Sequence, residues 1–546
     1  MTPLGGVGEI GKNMFAIESG EDMVVIDCGL AFPEDDLPGI DVVIPDMSYV
    51  VERKAHLRAI LLTHGHEDHI GGMPYLLRDA AAPVMGTRLT LGLVEGKLTE
   101  HNLRLPPGSR PFRDGEVLEV GTLRIEPFHV THSIPGCLGY AVHTPVGTLV
   151  FTGDFKFDLT PVDGEVTDFQ TLTRLGRDGV LALFCDSTNA ERAGFTGSER
   201  QAGVAIDRII GEATGRVLVT TFASNVHRIQ EVVNSAARVG RRVGVVGRSV
   251  ENTVQTSVRL GYLHIPEGLL IEQDALGRMA AERVVIVTTG SQGEPMSALS
   301  RMAAGEHRVV DLRRGDTVIL AATPVPGNEK SVHRTIDNLY RMGADVVYQR
   351  EAGVHVSGHG SREELKLMMT LLRPRWFVPV HGEFRHLVLN AGLAQETGVP
   401  ADRVLIGENG SVFEFTAEGA RISGRVSASR VLVDGLGVGD IGNVVLRDRR
   451  QLAQDGILVV ALAVRRGAGE VVGGPDISSR GFVYVRESEA LMDETRARIL
   501  EAVAARTRNG STDWNQIKTA MREAAGQLLY ERTHRRPIIM PLIVEV

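Results

Sequence analysis

The chain has 546 residues, 43% hydrophobic and 23% charged, which suits a globular protein of two or three domains. No stretch approaches the roughly 18 consecutive apolar residues of a membrane span, and the first residues show no signal-peptide pattern. The three cysteines, Cys28, Cys137 and Cys185, are scattered along the sequence. We therefore expect a cytoplasmic protein with reduced thiols. The net charge of −9 does not exclude a nucleic-acid substrate, because a single strand needs only a locally positive path.

The first motif along the chain resembles a dinucleotide-binding loop but lacks its context. Gly6–Gly11 satisfies G-x-G-x-x-G, which in a dinucleotide fold stands between a strand and a helix. Here only five residues precede the glycines, and Asn13–Glu18 and Met23–Asp27 predict a strand hairpin. The glycines therefore predict a tight turn at the rim of a cleft.

A compact set of possible metal ligands follows the apolar run Leu57–Leu62: His64, His66, Asp68 and His69. Residues two apart on extended backbone point to the same side, so the first two histidines can share one ion. The other two fall at the turn into a helix beginning near Ile70 and can reach a second ion. Two neighbouring divalent ions activate water for hydrolysis. A His-rich surface turn is the alternative.

Further candidate ligands stand at the ends of later apolar strands: His132, Asp154 and His381. His129 competes with His132, since it could equally pack or form a local hydrogen bond. Asp154 could bridge both ions. Asp27 closes an earlier strand and is predicted to orient a ligand histidine, as ligating imidazoles commonly need.

In this order the motifs resemble the metallo-β-lactamase superfamily and, within its β-CASP group, the ribonuclease J family. The superfamily motif His-x-His-x-Asp-His and its later His, Asp and His all have counterparts in the ligands named above. The β-CASP motifs match Asp186, His359 and again His381. Thr221–Arg228, Gly290–Glu294 and His355–Gly360 look specifically like ribonuclease J. The resemblance covers nearly the whole chain, with no departure at any ligand position.

The resemblance and the alternation of predicted strands and helices indicate an α/β fold. We expect a metallo-β-lactamase αββα sandwich with an inserted, doubly wound β-CASP domain and a small α+β C-terminal domain. The predicted boundaries are a sandwich over 1–196 and 351–428, an insert over 197–350, a Gly-rich linker over 429–453 and a C-terminal domain over 454–546. In that last domain we expect strands at Ile457–Val464, Gly481–Arg486 and Pro537–Val546 and helices at Glu487–Arg506 and Asp513–Glu531. The resemblance gives this domain a role in self-association; a lid or spacer is the alternative.

The family resemblance also implies an activity. It implies a hydrolase that degrades RNA from the 5′ end, prefers a 5′-monophosphate and can cut internally, acting in mRNA decay and rRNA processing. It implies two divalent ions per chain, Zn²⁺ and/or Mn²⁺, and single-stranded RNA as the partner. A homodimer or homotetramer and associated RNA-decay proteins are further expectations.

Roles for individual residues follow from the same resemblance. His359, oriented by Asp186, is the candidate general acid for the leaving 3′ oxygen, because an adjacent carboxylate favours the imidazolium. His355 is the second candidate for this role. Polar groups in turns after strands suit a phosphate pocket. The predicted substrate-binding set is Ser224, Asn225, His227, Arg228, Arg248, Ser249, Ser291, Gln292, Glu294, His355, Ser357 and Gly358.

Three other functions share parts of this pattern. A small-molecule hydrolase of the β-lactamase or glyoxalase kind would need neither the insert nor His359. A β-CASP endonuclease acting on RNA, or a DNA nuclease of the same group, would share the insert but resembles His355–Gly360 less well. An inactive RNA-binding scaffold predicts missing ligands, and the sequence has them all.

Overall fold

The computed structural model of the chain describes residues 1–34, 36–294, 296–324, 328–465, 470–483, 488–507 and 513–546. It contains two compact units, Met1–Ala31 with Val43–Val431 and Phe32–Val42 with Leu432–Val546. None of the described helices combines the length and apolarity that a membrane-spanning segment requires. The three cysteines are buried free thiols.

The described residues before the insert form thirteen strands and five helices. The strands are β1 (Thr2–Gly5), β2 (Val7–Gly8), β3 (Met14–Ser19), β4 (Asp22–Ile26), β5 (Val42–Pro45), β6 (Leu57–Leu61), β7 (Val84–Gly86), β8 (Arg110–Pro111), β9 (Leu118–Val120), β10 (Leu123–Val130), β11 (Cys137–Thr144), β12 (Gly147–Phe151) and β13 (Ala182–Asp186). The helices are α1 (Ser48–Glu52), α2 (Glu67–Ile70), α3 (Met73–Asp79), α4 (Arg88–Glu100) and α5 (Phe169–Asp178). The glycine motif leads into the antiparallel hairpin β3–β4, so the prediction of a hairpin is confirmed.

The inserted segment alternates helices with short parallel strands. Its helices are α6 (Glu199–Glu212), α7 (Val226–Arg238), α8 (Arg248–Leu260), α9 (Gln273–Leu276), α10 (Ala298–Ala303) and α11 (Glu329–Arg341). Its strands are β14 (Val217–Thr220), β15 (Arg242–Val246), β16 (Leu270–Ile271), β17 (Val284–Thr288), β18 (Thr317–Leu320) and β19 (Asp345–Val347), in the order β16-β15-β17-β14-β18-β19. Separate apolar clusters cover the two faces of this sheet, which makes it doubly wound.

After the insert the first fold resumes with α12 (Arg362–Leu372), β20 (Trp376–Val380), β21 (Gly382–Glu383), α13 (Phe384–Glu396), β22 (Ser411–Phe415) and β23 (Ala420–Arg425). Two six-stranded sheets result, in the orders β1-β3-β4-β6-β7-β8 and β20-β13-β12-β11-β10-β9. Side chains from both sheets, such as Ile26, Leu61, Tyr140 and Phe184, form one buried core between them. Helices α5, α12 and α13 pack on the outer face of the second sheet, which gives the predicted αββα layering.

The described part of the second unit contains the three-stranded sheet β27-β26-β28. Its elements are β24 (Arg430–Asp434), β25 (Gly437–Val438), α14 (Asn443–Asp455), β26 (Ile457–Val464), β27 (Val471–Arg480), α15 (Glu489–Thr507), α16 (Trp514–Thr533) and β28 (Ile538–Glu545). Strand β26 pairs antiparallel with β27 and parallel with β28, and its buried side chains meet those of α15 and α16.

Two predictions for this region differ from the structure. Most of α14 lies in the predicted linker, because the glycines stop at Gly442 and strong helix formers follow. The antiparallel partner of β26 is β27. Gly473, Gly474 and Pro475 interrupt the apolar pattern of β27, so its sequence does not predict a strand. The strand predicted over Gly481–Arg486 lies partly outside the described residues, which omit 484–487.

Candidate metal centre and active site

The candidate site lies where the carboxyl ends of strands from both sheets meet. Strands β4 and β6 are parallel and lead to Asp27 and His64. In the second sheet β12, β13 and β20 are parallel and lead to Asp154, Asp186 and His381. The topology therefore brings residues more than three hundred positions apart to one edge.

One set of possible ligands consists of His64, His66, His132 and Asp154, whose donor atoms all lie within 4.8 Å of one another. His66 Nδ1 is 3.1 Å from His64 Nε2 and 3.2 Å from His132 Nε2. Asp154 Oδ2 is 3.7 Å from His64 Nε2 and 3.8 Å from His132 Nε2. Around a tetrahedral zinc ion with bonds of 2.0–2.1 Å, ligand atoms stand about 3.3 Å apart. This donor set therefore fits a divalent ion.

A second set consists of Asp68, His69, Asp154 and His381. His69 Nε2 is 3.2 Å from Asp154 Oδ2 and 3.5 Å from Asp68 Oδ2. His381 Nε2 is 3.3 Å from Asp68 Oδ2 and 3.6 Å from Asp154 Oδ2. These spacings also fit one ion. Because Asp154 belongs to both sets, its carboxylate joins two adjacent sites.

Each histidine turns one ring nitrogen into the cluster and has a protein partner on the other, as metal ligands commonly do. The partners of the outer nitrogens are Thr63 Oγ1 for His64 at 3.0 Å, Ser133 Oγ for His66 at 3.2 Å, Asp27 Oδ2 for His69 at 2.7 Å, the Gly358 carbonyl for His132 at 2.7 Å and Thr188 Oγ1 for His381 at 2.6 Å. His129 instead contacts the Val166 carbonyl at 2.9 Å, so geometry favours His132 as the third nitrogen.

Two non-glycine residues of the site have left-handed backbone. Asp27 has φ 60° and His381 has φ 51°. Such conformations cost about 1–3 kcal/mol and persist where surrounding structure enforces them. Here the Thr63 backbone N–H and hydroxyl both donate to the Asp27 carboxylate at 2.8 Å. Both residues with this strained backbone direct their side chains towards the cluster.

The electrostatics of the first ligand set favour a bound cation. Burial and the neighbouring histidines hold the pKa of His64 and of His132 well below the ordinary value, and burial lowers the pKa of His66 to about 4. Burial opposes the charge on Asp154, but the surrounding histidines, His381 foremost, lower its pKa. These rings are therefore neutral and the shared carboxylate ionised, which are the forms that coordinate a divalent ion.

Beside the ligand sets, His359 pairs with Asp186. Nδ1 of His359 lies 2.7 Å from Asp186 Oδ2, and its Nε2 lies 3.9 Å from Asp154 Oδ2. Burial opposes protonation, but Asp186 and then Asp154 raise the pKa of His359 above its ordinary value. The His359 side chain is 18% exposed, whereas that of Asp186 is 1% exposed. The pair presents an imidazole whose protonated form is stabilised by the carboxylates and which has one accessible edge.

The segment that carries His359 is fixed by side chains from the loop after β13 and from helix α12. Asn189 Nδ2 donates to Ser357 Oγ at 2.8 Å and to the His359 carbonyl at 2.9 Å. Glu364 is fully buried and accepts from the backbone N–H groups of Phe157, Thr196 and Ser361 at 2.6–2.8 Å. The position of His359 is therefore set by three separate stretches of chain.

Comparisons with known proteins agree with this architecture. Four family models match the chain: the metallo-beta-lactamase superfamily over 7–193, the ribonuclease J beta-CASP domain over 214–339, the Zn-dependent metallo-hydrolase RNA specificity domain over 343–404 and the ribonuclease J C-terminal domain over 444–546. Ribonuclease J 1 of Streptococcus pyogenes serotype M3 is 44% identical over 541 residues, covering 99% of this chain and 96% of that protein.

The chain belongs to the ribonuclease J family. Ribonuclease J2 of Bacillus subtilis strain 168 is also 44% identical, over all of this chain and 98% of its own. A solved structure from Enterococcus faecalis V583, described as a protein of unknown function, covers 79% of this chain and 99% of its own with a TM-score of 0.52 at 16% identity, a likeness of fold alone. The chain is a metal-dependent hydrolase of the ribonuclease J family.

The predicted phosphate-binding residues of this ribonuclease J family chain fall into two groups. Arg248 and Ser249 are exposed at the start of α8, and the half-buried members are Ser224, Glu294, His355 and Ser357. The buried members are Asn225, His227, Arg228, Ser291, Gln292 and Gly358.

Several of the buried members have partners inside the protein. Asn225 caps α7 by accepting from the Arg228 backbone N–H, and His227 Nε2 lies 3.0 Å from Asp163 Oδ2. Gln292 donates to the Thr323 carbonyl at 3.0 Å. The structure therefore does not bring the whole predicted set to one accessible surface.

Sequence reasoning missed several polar residues that support the ligands. Thr63 contacts Asp27, His64 and His69, and Asn13 Nδ2 donates to the Asp68 carbonyl at 3.1 Å. Thr63 immediately precedes the His motif and could have been suspected from that position. Asn13 follows the glycine turn, and the spacing of the sequence carries no signal for its contact with residues 55 and 56 positions away.

Proposed function

We propose that this chain hydrolyses RNA as a 5′-to-3′ exonuclease that prefers 5′-monophosphate ends and also cuts internally, with Zn²⁺ and/or Mn²⁺ as its ions. The observation that carries the proposal is the His359–Asp186 pair beside two ligand sets that share Asp154. A nuclease needs an acid for the leaving oxygen as well as ions, and this arrangement supplies both. Five histidines and two aspartates suit either metal.

The protein groups have separate tasks in this mechanism. When bound, two divalent ions lower the pKa of water and offset charge on the phosphoryl oxygens. Asp186 accepts from Nδ1 of His359 and stabilises its positive charge, and His359 donates the proton on Nε2 to the leaving 3′ oxygen. The Asn189 side-chain amide and the backbone N–H of His359 both donate to Ser357 Oγ. The Ser357 hydroxyl can therefore donate its own proton to a phosphate oxygen.

The directionality of the proposal depends on a pocket for the 5′ phosphate. Ser224 precedes α7, and Arg248 with Ser249 begins α8, both after parallel strands of the insert. Helix N-termini present unpaired N–H groups and a positive dipole end, which favour phosphate. We place the 5′ phosphate against Ser224, Arg248, Ser249 and His355, and the adjacent phosphodiester at the metal centre.

The wider setting of the enzyme is part of the same proposal. We infer that single-stranded RNA is the partner, that the chain acts in RNA decay and maturation in the cytoplasm, and that residues 454–546 support a homodimer or homotetramer. We also keep the boundaries 1–196, 197–350 and 351–428 as working limits for the sandwich and insert, and 429–453 as a connection that includes most of helix α14.

The test is a time course on one RNA carrying a body label and a 5′-monophosphate, with Mn²⁺ or Zn²⁺. Mononucleotides should appear first and should slow when the 5′ end is a triphosphate or hydroxyl. Asp68→Ala, which removes a ligand, serves as the inactive control. Internal fragments appearing first would favour the β-CASP endonuclease instead, and faster cleavage of a matched single-stranded DNA would favour a DNA nuclease.

A further inference from the structure

Arg228 is a buried arginine that connects the insert to the segment carrying His359. It is 1% exposed and lies in the first turn of α7. Its Nη2 donates to Glu199 Oε2 at 2.6 Å, and its Nη1 lies 2.9 Å from Nδ1 of His355. Nη1 also donates to the Ala321 carbonyl. The guanidinium is therefore engaged inside the protein and does not serve as a surface phosphate ligand.

The contact with Arg228 determines which nitrogen of His355 holds the ring proton. A guanidinium has donors and no acceptor, and it stays protonated in proteins. At 2.9 Å from Nη1, Nδ1 of His355 must therefore accept, which leaves the proton of the neutral ring on Nε2. That nitrogen lies on the exposed side, 3.2 Å from Thr323 Oγ1.

The surroundings also oppose a second proton on His355. Burial and then the positive charge of Arg228 lower the pKa of His355 to about 3. Arg228 itself is not an uncompensated charge, because Glu199 pairs with it and is 2% exposed. His355 and His359 thus differ in kind: a guanidinium lies beside one ring and a carboxylate beside the other.

We propose that Arg228 is a positioning residue that fixes His355 as a neutral imidazole protonated on Nε2, so that His355 donates a hydrogen bond to an anionic oxygen of the RNA and does not act as an acid. The tautomer follows from the geometry alone, whereas the contact with RNA rests on the proposed function. Arg228 acts through His355 and does not touch the substrate.

The first experiment is ¹⁵N NMR of the histidine rings in the full-length, metal-loaded protein, with His355 assigned by comparison with His355→Gln. We expect a pyridine-type Nδ1 and a pyrrole-type Nε2 for His355, unchanged between about pH 5 and about pH 8. A protonated Nδ1, or an imidazolium signal in that range, overturns the proposal. Because the spectrum is taken without RNA, it decides the tautomer even if the protein proves inactive on RNA.

The second experiment compares Arg228→Lys and Arg228→Met with Arg216→Met. Arg216 is a matched control, since it is buried in the same insert and donates to Asp316 Oδ2 at 2.6 Å. On 5′-monophosphorylated RNA we expect Arg228→Met to raise KM about tenfold with kcat within about twofold, together with a changed His355 ring spectrum. Arg228→Lys keeps a donor without an acceptor at this position and should retain the wild-type ring spectrum. Arg216→Met should leave both readouts near wild type.

An unchanged His355 spectrum in Arg228→Met overturns the role of Arg228. A changed spectrum with an unchanged KM overturns the contact between His355 and RNA. If Arg228→Met fails to fold, the wild-type spectrum still decides the tautomer. The expected spectrum without any RNA cleavage would overturn the proposed function while supporting the tautomer.

Discussion

His132 donates from Nδ1 to the backbone carbonyl of Gly358 at 2.7 Å, so a hydrogen bond joins a candidate metal ligand to the segment that carries the candidate acid. A side chain at position 358 would clash, because a Cβ there would lie 2.4 Å from Cε1 of His132. Gly358→Ala should displace the ring or the segment and lower kcat about 100-fold. Single-turnover cleavage measures this effect, and Gly392→Ala, whose Cβ would meet open space, is the control. Near-normal turnover in Gly358→Ala would contradict the coupling.

Removing the candidate acid should affect chemistry more than metal content. His359→Ala should lower kcat by about 10²–10⁴-fold, the range for a lost general acid, while bound metal stays near the wild-type amount. Metal analysis and kinetics on the same preparation check this. His143→Ala is a matched control, since His143 also pairs with a carboxylate, Glu126 at 3.2 Å, outside the cluster. Loss of metal in His359→Ala would make it a ligand.

The shared carboxylate should matter for both ions at once. Asp154 belongs to both ligand sets, whereas Asp68 belongs to one. Asp154→Ala should therefore leave little of either metal bound, and Asp68→Ala should lose mainly one equivalent. Metal analysis after gel filtration in metal-free buffer distinguishes the two variants. Equal losses in both would contradict the bridging position of Asp154.

The candidate ligands were predictable because each stands directly after an apolar strand or inside one short motif. Strand ends meet at one edge of a layered fold, so His381 could be placed with His64 despite the distance in sequence. Arg228 and His355 show the limit of this reasoning. Both lie in polar stretches whose sequences resemble phosphate-binding loops. The burial of Arg228, however, depends on how the insert packs against residues 354–360. Spacing along the chain does not encode that packing.

The last prediction concerns Glu364, whose carboxylate accepts from backbone N–H groups of three separate segments. In Glu364→Gln one oxygen becomes an NH₂ group facing those donors, so at least one buried N–H loses its acceptor. We expect a loss of about 2 kcal/mol in the free energy of unfolding, together with a lower kcat, because the same donors position the His359 segment.

Glu363→Gln provides the matched control one residue away. Glu363 is exposed and its ion pair with Lys366 is 3.5 Å long, so it should change stability by less than about 0.5 kcal/mol. Urea unfolding and single-turnover cleavage of both variants give the two readouts. If Glu364→Gln lost stability but kept its turnover, the carboxylate would support the fold alone and the position of His359 would depend on Asn189 and Asp186.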